Sequence, residues 1–273
     1  MAPLAVGTQT AGSVIRPAAF CGVVGYKPSV GLIPRDGVMV LSQTLDTLGG
    51  FAQTVAEVAT LCSVMAGRDI SPFAAAGQLR FLVYRSPHWN EIDAGARANF
   101  DAVLGRLSDE GAAVQEPEPP AGFDDALLNV HRPIQLYETA RNMSGEVERA
   151  PDLVSATFRR SLALGASISA ADYGAALAER SRLIEALSAW VGDGHVILTP
   201  PAFGEAPALE TTGDPRLCAR WTLVGAPAIT VPSGLGASGL PLGVQLCAAP
   251  GRDRALLGAA AWVERALRDE KPR

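Results

Sequence analysis

Apolar residues along the chain fall into short runs that alternate with longer stretches of helical spacing. Short runs rich in β-branched and aromatic residues predict strands at 23–26, 79–84, 196–198, 228–231 and 244–247. Stretches with apolar residues three and four positions apart predict helices at 54–65, 94–107, 169–191 and 254–267. Strands that alternate with helices are typical of an α/β protein.

Two of the predicted helices carry clear start signals. Thr54 and Glu57 have the spacing of a capping box, and Gly67 follows the apolar stripe as an expected stop. Ser169, with Asp172 three residues later, predicts the start of the long helix that ends near 191. We expect the apolar residues along one side of the first helix to pack in the hydrophobic core.

Candidate catalytic residues lie in the loop at residues 7–18, whose sequence is Gly-Thr-Gln-Thr-Ala-Gly-Ser-Val-Ile-Arg-Pro-Ala. Small residues allow a sharp turn, and Pro17 is expected at the first position of a helix. Such a loop can bring the Ser13 hydroxyl and several backbone N–H groups around one point, as a nucleophile with an oxyanion hole requires. A simple turn or helix cap is the alternative. The phosphate-binding run Gly-x-x-x-x-Gly-Lys-Ser/Thr is absent from the sequence.

The three histidines, His88, His131 and His195, raise the alternative of a Ser-His-Asp hydrolase. The Gly-x-Ser-x-Gly elbow of many such enzymes does not occur in the sequence. Each histidine is therefore expected to be structural or at the surface, with His131 the first to test.

The cysteines give no metal signature, because Cys21, Cys62, Cys218 and Cys247 are scattered without Cys-x-x-Cys spacing. They are expected to be buried thiols in a reducing compartment. Neither a metal nor another cofactor is predicted.

The length, composition and charge of the chain favour a globular protein and disfavour some classes of partner. The chain has 273 residues, is 48% hydrophobic and carries a formal charge of −5, which suits one or two globular domains and argues against a nucleic-acid partner. It has neither a secretion signal at its start nor an apolar run of about 18 residues that could span a membrane. We therefore expect a cytoplasmic protein.

Several ordered motifs together resemble the second half of the amidase signature family of serine-dependent amide hydrolases. They lie at residues 7–18, 20–29, 42–49, 53–57, 225–232 and 239–246. The resemblance covers nearly the whole chain and is weakest at about 78–168. It implies a single domain over 1–273, with a mixed β-sheet core covered by α-helices on both sides and a less certain helical, substrate-facing region at about 121–192.

The resemblance also implies roles for particular residues. Ser13 matches the nucleophile of the family's Ser–cis-Ser–Lys triad, and the N–H groups of Thr10, Ala11, Gly12 and Ser13 match the loop that holds the oxyanion. His131 is a candidate for the substrate pocket, whose wall is expected around 131–138 and 200–207.

The chain departs from the family pattern at several positions. Gln9 replaces the more common Asp, Ala11 replaces a Gly, and Arg16 lies one place later than the usual arginine. The bridging serine and the lysine would lie upstream of the first residue, and neither Lys27 nor Lys271 is a credible base.

We therefore expect the C-terminal part of an amidase that hydrolyses the C–N bond of a small carboxamide or related amide and is impaired when alone. The alternative is an inactive remnant, or a binding subunit of an amidase or amidotransferase. The expected partners are a small-molecule amide and either a second copy of the chain or an N-terminal complementing fragment. Neither a nucleic acid nor a membrane is expected as a partner.

Overall fold

A single mixed sheet organises the protein in a computed structural model that describes residues 2–72 and 78–268. Its strands are β1 (Ala5–Gln9), β2 (Val24–Lys27), β3 (Thr47–Ala52), β4 (Arg80–Val83), β5 (Ala113–Gln115), β6 (His195–Thr199), β7 (Ala228–Leu235) and β8 (Pro241–Cys247). Their order across the sheet is β1-β3-β2-β7-β8-β6-β4-β5. Strand β4 pairs in parallel with β5 and β6, and the other pairs are antiparallel.

Helices cover both faces of this sheet. They are α1 (Ile15–Cys21), α2 (Val55–Ala66), α3 (Ala94–Asp109), α4 (Arg132–Asn142), α5 (Ser144–Arg149), α6 (Ala156–Ser167), α7 (Ala170–Val191), α8 (Arg216–Leu223) and α9 (Asp253–Leu267). Side chains of one strand point alternately to the two faces. In β4 and just after it, Phe81 and Val83 pack with α2, α3 and α9, whereas Leu82 and Tyr84 pack with α7 and α8. The predicted architecture of a mixed sheet between helical layers is confirmed.

The predicted helix starts are confirmed in detail. Thr54 and Glu57 form a reciprocal capping box at α2, and Gly67 ends that helix in the left-handed conformation. Ser169 accepts a hydrogen bond from the backbone N–H of Asp172 at the start of α7. Local side-chain chemistry is therefore sufficient to place these helix ends.

The strands β1, β3 and β5 and the helix α8 have no counterpart among the predicted elements. Strand β3 contains Gly49 and Gly50, which lower its strand propensity. A Cβ at Gly49 would lie 2.4 Å from the carbonyl oxygen of Tyr26, and one at Gly50 would lie 2.8 Å from a methyl group of Leu61. These glycines permit close packing that the sequence pattern does not reveal.

The expectation for Pro17 is wrong, because α1 begins at Ile15 and Pro17 occupies its third position. The side-chain oxygen of Gln9 accepts hydrogen bonds from the backbone N–H groups of Val14 and Ile15 and so starts the helix earlier. A proline within the first turn removes an N–H that has no partner inside the helix, and α1 therefore accommodates it.

The expectation of four buried thiols is wrong for one of them. Cys21 is exposed at the end of α1, whereas Cys62, Cys218 and Cys247 are buried. Burial raises the pKa of the Cys62 and Cys218 thiols to about 12, so both remain protonated near neutral pH.

Strand β1 lies at one edge of the sheet and, among the described residues, pairs only with β3. Val6 on this strand is 56% exposed and Leu4 beside it is 39% exposed. An open edge that carries apolar side chains favours association with another strand. Within the described residues, no helix has the length and apolar character needed to cross a membrane.

We expect Val6→Lys to reduce self-association of the chain, because a charged side chain disfavours pairing at a sheet edge. Sedimentation velocity over a range of protein concentrations measures the effect. Val64→Lys is the matched control, since Val64 is 76% exposed on α2 rather than on β1. A wild-type chain that stays monomeric at every concentration would contradict the prediction.

Candidate active site

The loop that follows β1 is anchored at its base by Gln9, which is fully buried. The side-chain oxygen of Gln9 accepts from the backbone N–H of Val14 at 2.8 Å and of Ile15 at 3.0 Å. Its side-chain amide donates to the Thr222 hydroxyl on α8 at 2.9 Å. One side chain therefore joins the end of β1, the start of α1 and α8.

Three successive carbonyl groups of the loop are each held by a donor. The Thr10 carbonyl oxygen lies 3.0 Å from Nε2 of His131, and the Ala11 carbonyl accepts from the Thr222 hydroxyl at 2.8 Å. The Gly12 carbonyl accepts from the backbone N–H of Arg16 at 3.0 Å. The orientation of the three peptide groups is therefore fixed from different elements of the fold.

These bonds decide where the backbone N–H groups point. In a trans peptide the N–H is directed opposite to the carbonyl of the same peptide group, and every peptide bond of the described chain is trans. The N–H groups of Ala11, Gly12 and Ser13 are therefore turned away from His131, Thr222 and α1. They have no acceptor within the described residues. Free, preorganised donors of this kind are what an oxyanion hole requires.

Close packing against α8 explains the glycine at position 12. A Cβ on Gly12 would lie 3.1 Å from Cβ of Cys218 and 3.3 Å from Cβ of Pro215. Gly12 therefore allows the loop to lie directly against the start of α8. Ala11 instead faces a cavity, where its methyl group has space.

Ser13 lies just before α1 with its side chain exposed. Within the described residues, its hydroxyl makes no hydrogen bond and has no base beside it. The fully buried Lys27 donates from Nζ to the Pro28 carbonyl at 2.9 Å and the Ala226 carbonyl at 2.6 Å. Burial lowers the pKa of Lys27 to about 8. Lys271 lies outside the described residues.

His131 ends a π-helical turn, Leu127–His131, and is only 4% exposed. A carbonyl can only accept, so the contact with Thr10 places the proton of the neutral ring on Nε2 and leaves Nδ1 unprotonated. Burial lowers the pKa of His131 to about 4, which keeps the ring neutral near pH 7. The structure thus places His131 behind the loop as a donor and not beside Ser13.

The other histidines are engaged elsewhere. Nδ1 of His88 lies 2.7 Å from a carboxylate oxygen of Glu91, and Nδ1 of His195 lies 3.0 Å from the Val191 carbonyl oxygen. Neither contacts Ser13. Within the described residues, no three His, Cys, Asp or Glu side chains form a group that could hold a metal ion.

Two buried carboxylates reinforce the loop: Glu138 lies at the end of the expected pocket wall at 131–138, and Asp46 is not among the predicted site residues. Asp46 accepts from the Thr10 hydroxyl at 2.5 Å and from the backbone N–H of Leu41 at 2.7 Å. Glu138 on α4 accepts from the Thr44 backbone N–H at 3.0 Å and from a hydroxyl of α7. Burial alone would raise the pKa of Glu138, but its hydroxyl and N–H donors outweigh this and lower it. Thr10 is therefore tied through the 41–46 loop to the helices α4 and α7.

A cavity of about 770 Å³ opens beside the loop. Its lining includes Ala11 and His131, the apolar residues Leu127, Leu136, Phe158, Pro215 and Ala219, and the polar residues Asn129, Gln135 and Thr139. The expected wall at 131–138 contributes in part, whereas the lining contains no residue of 200–207. Residues 200–202 and 204 line a separate small crevice with Ala19 and Ala96, whereas Phe203 packs against His88 and Arg216, which line the cavity.

One side of the cavity is supported by a buried cation. The Arg220 guanidinium is fully buried and donates from Nη1 to the Tyr84 hydroxyl and, at 3.3 Å, to Asp124. Asp124 lines the cavity. A second cavity, of about 550 Å³, lies at the start of α9 and includes none of residues 10–13.

Comparison with known proteins places this arrangement in a family. The model of the family described as Amidase matches residues 1–257. The chain belongs to the amidase family. A glutamyl-tRNA(Gln) amidotransferase subunit of Cereibacter sphaeroides is 29% identical over 98% of this chain and 65% of its own length. The corresponding amidotransferase subunit of Thermotoga maritima is 27% identical over 90% of this chain and 60% of its own length.

Solved structures agree with this assignment. A crystal structure of an amidase superposes with a TM-score of 0.89 at 27% identity and covers 97% of this chain and 63% of that protein. A substrate complex of 6-aminohexanoate cyclic dimer hydrolase, 24% identical, shows the same fold with a TM-score of 0.80 over 97% of this chain and 65% of that protein. This amidase-family chain thus spans less than two thirds of the length of these relatives. The roles of Ser13, Thr10, Ala11, Gly12 and His131 remain predictions.

We expect the stability of this amidase-family chain to fall as the pH drops from 6.5 toward 4. His131 titrates near 6.5 when unfolded but at about 4 when folded, so in this window the unfolded state binds the extra proton. The loss from this residue reaches about 3 kcal/mol at the lower limit. Urea unfolding at several pH values measures it. His131→Gln should show a flatter profile, and a variant profile as steep as the wild-type one would contradict the assignment.

Proposed function

We propose that this chain carries the nucleophile and oxyanion loop of an amidase that hydrolyses the C–N bond of a small carboxamide or related amide. The observation that carries the proposal is that the N–H groups of Ala11, Gly12 and Ser13 have no acceptor among the described residues and lie in a loop whose Ser13 is exposed. The Ser13 oxygen attacks the amide carbonyl carbon, and the N–H groups bind the oxyanion that develops. The C–N bond then breaks, the amine leaves with a proton, and water hydrolyses the acyl ester on Ser13.

The proton of Ser13 needs a base, and the described residues bring none to it. A serine hydroxyl is a weak nucleophile unless a base lies next to it. We assign the base to a complementing segment outside the described residues, on the same chain or on a partner. The exposed position of Ser13 and the open edge of β1 support this assignment. Without that segment, the rate should fall by orders of magnitude to what positioning and the oxyanion loop supply.

The cavity, whose lining includes Ala11 but not Thr10, Gly12 or Ser13, supports a small-molecule amide as the substrate. Its volume of about 770 Å³ and its mixture of apolar and polar walls are typical of small-ligand sites. The formal charge of −5 does not favour a nucleic-acid partner. We also propose a cytoplasmic location, which the free thiols of the cysteines support.

The absence of a base beside Ser13 among the residues that the structure describes also favours a second candidate function. In that case the chain is an inactive binding subunit whose loop holds a ligand or partner without acylation. Two observations favour this function. Among the described residues, the Ser13 hydroxyl makes no hydrogen bond, and Nζ of Lys27 donates to two backbone carbonyls.

Intact-mass analysis after treatment with a fluorophosphonate distinguishes the two candidates. The amidase proposal predicts a single adduct that forms slowly on the chain alone and disappears in Ser13→Ala. Ser144→Ala, at an exposed serine on α5, is the matched control and should keep the adduct. The absence of any adduct on the wild-type chain would favour the binding subunit.

A further inference from the structure

Thr222 on α8 makes a directed pair of hydrogen bonds behind the reactive loop. Its hydroxyl receives a hydrogen bond from the side-chain amide of Gln9 at 2.9 Å and donates to the Ala11 carbonyl at 2.8 Å. Thr222 and Gln9 are both fully buried. Solvent therefore cannot replace either partner.

The direction of both bonds follows from the chemistry of the groups. The Ala11 carbonyl can only accept, so the single proton of the Thr222 hydroxyl must point to it. Gln9 presents its oxygen to the backbone N–H groups of Val14 and Ile15, which leaves its NH₂ group to face Thr222. The amide of Gln9 therefore fixes the rotation of the Thr222 hydroxyl.

We propose that Thr222, oriented by Gln9, is a positioning residue that aims the Gly12 N–H at the oxyanion. This inference rests on the proposed function of the loop and specifies which side chains prepare it. The Ala11 carbonyl and the Gly12 N–H belong to one peptide group, so a donor that holds the carbonyl sets the direction of the N–H.

The neighbouring peptide groups do not depend on Thr222. His131 and Asp46 hold the carbonyl and side chain of Thr10, and the N–H of Arg16 holds the Gly12 carbonyl. Loss of the Thr222 hydroxyl should therefore release one peptide group and leave the two beside it in place. A local change of this kind separates positioning from general support of the fold.

The test compares Thr222→Val with Thr230→Val. Thr230 on β7 is also fully buried, and its hydroxyl likewise donates to a backbone carbonyl, that of Val244, at 3.2 Å. Both variants lose a hydroxyl-to-carbonyl bond with little change in side-chain size, but only Thr222→Val lies behind the loop, where it also leaves the Gln9 amide without its acceptor. Thr222→Ser keeps the hydroxyl and serves as the conservative rescue. The measurements are the second-order rate of the fluorophosphonate adduct on Ser13 and a crystal structure of each 273-residue variant.

We expect Thr222→Val to slow adduct formation about tenfold or more, since loss of one oxyanion donor costs about 10²–10³ in rate. Thr222→Ser and Thr230→Val should stay within about twofold of the wild type. In the crystal structures, only Thr222→Val should show a reoriented Ala11–Gly12 peptide. An unchanged peptide in Thr222→Val, or an equal loss of rate in Thr230→Val, would overturn the inference.

The two readouts keep this inference separate from the proposed function. A wild-type chain that forms no adduct would count against activation of Ser13 in this chain. The orientation of the Ala11–Gly12 peptide in the crystal structures would still decide the role of Thr222. If Thr222→Val does not fold, the structure of Thr222→Ser decides, because a hydroxyl that no longer contacts the Ala11 carbonyl would refute the assignment.

Discussion

The loop after β1 depends on hydrogen bonds that hold the carbonyl groups of residues 10–12 and leave the N–H groups of residues 11–13 without an acceptor in the described part of the chain. Backbone donors near a buried region are normally satisfied by the fold, and free ones are costly unless solvent or a ligand reaches them. Gln9, His131 and Thr222 come from three separate parts of the chain and converge on this loop. The sheet and the helices above it are needed to bring these groups together.

The secondary structure could be predicted where local chemistry determines it. The capping residues Thr54 and Ser169 mark helix starts in the sequence because their side chains bond to a backbone N–H only a few residues away. Strand β3 could not be predicted, since Gly49 is required there by the approach of the Tyr26 backbone from a neighbouring strand. Such a contact is a property of the assembled sheet.

The candidate site also has a part that the sequence reveals and a part that becomes visible only in the folded structure. The family resemblance points to Ser13 and its loop through contiguous motifs, and it identifies position 9 as a departure without assigning its side chain a role. The structure assigns that role, because the amide of Gln9 both caps α1 and donates to Thr222. Asp46 lies within a motif used for the resemblance, but its contact with Thr10 becomes visible only once the loops have folded together.

The sheet order has a consequence for synthesis of the chain on the ribosome. Among the described strands, β7 and β8 are the last to be made and lie at the middle of the sheet, so β2 must wait for β7 before its second edge is paired. The Thr222 hydroxyl is 211 positions from the Ala11 carbonyl that it holds. Contacts of such high sequence separation slow folding, because closing the long intervening chain costs entropy before the contact is gained. The nascent chain therefore carries Ser13 long before Thr222 has been synthesised, and the loop takes its final form only after α8 has been made.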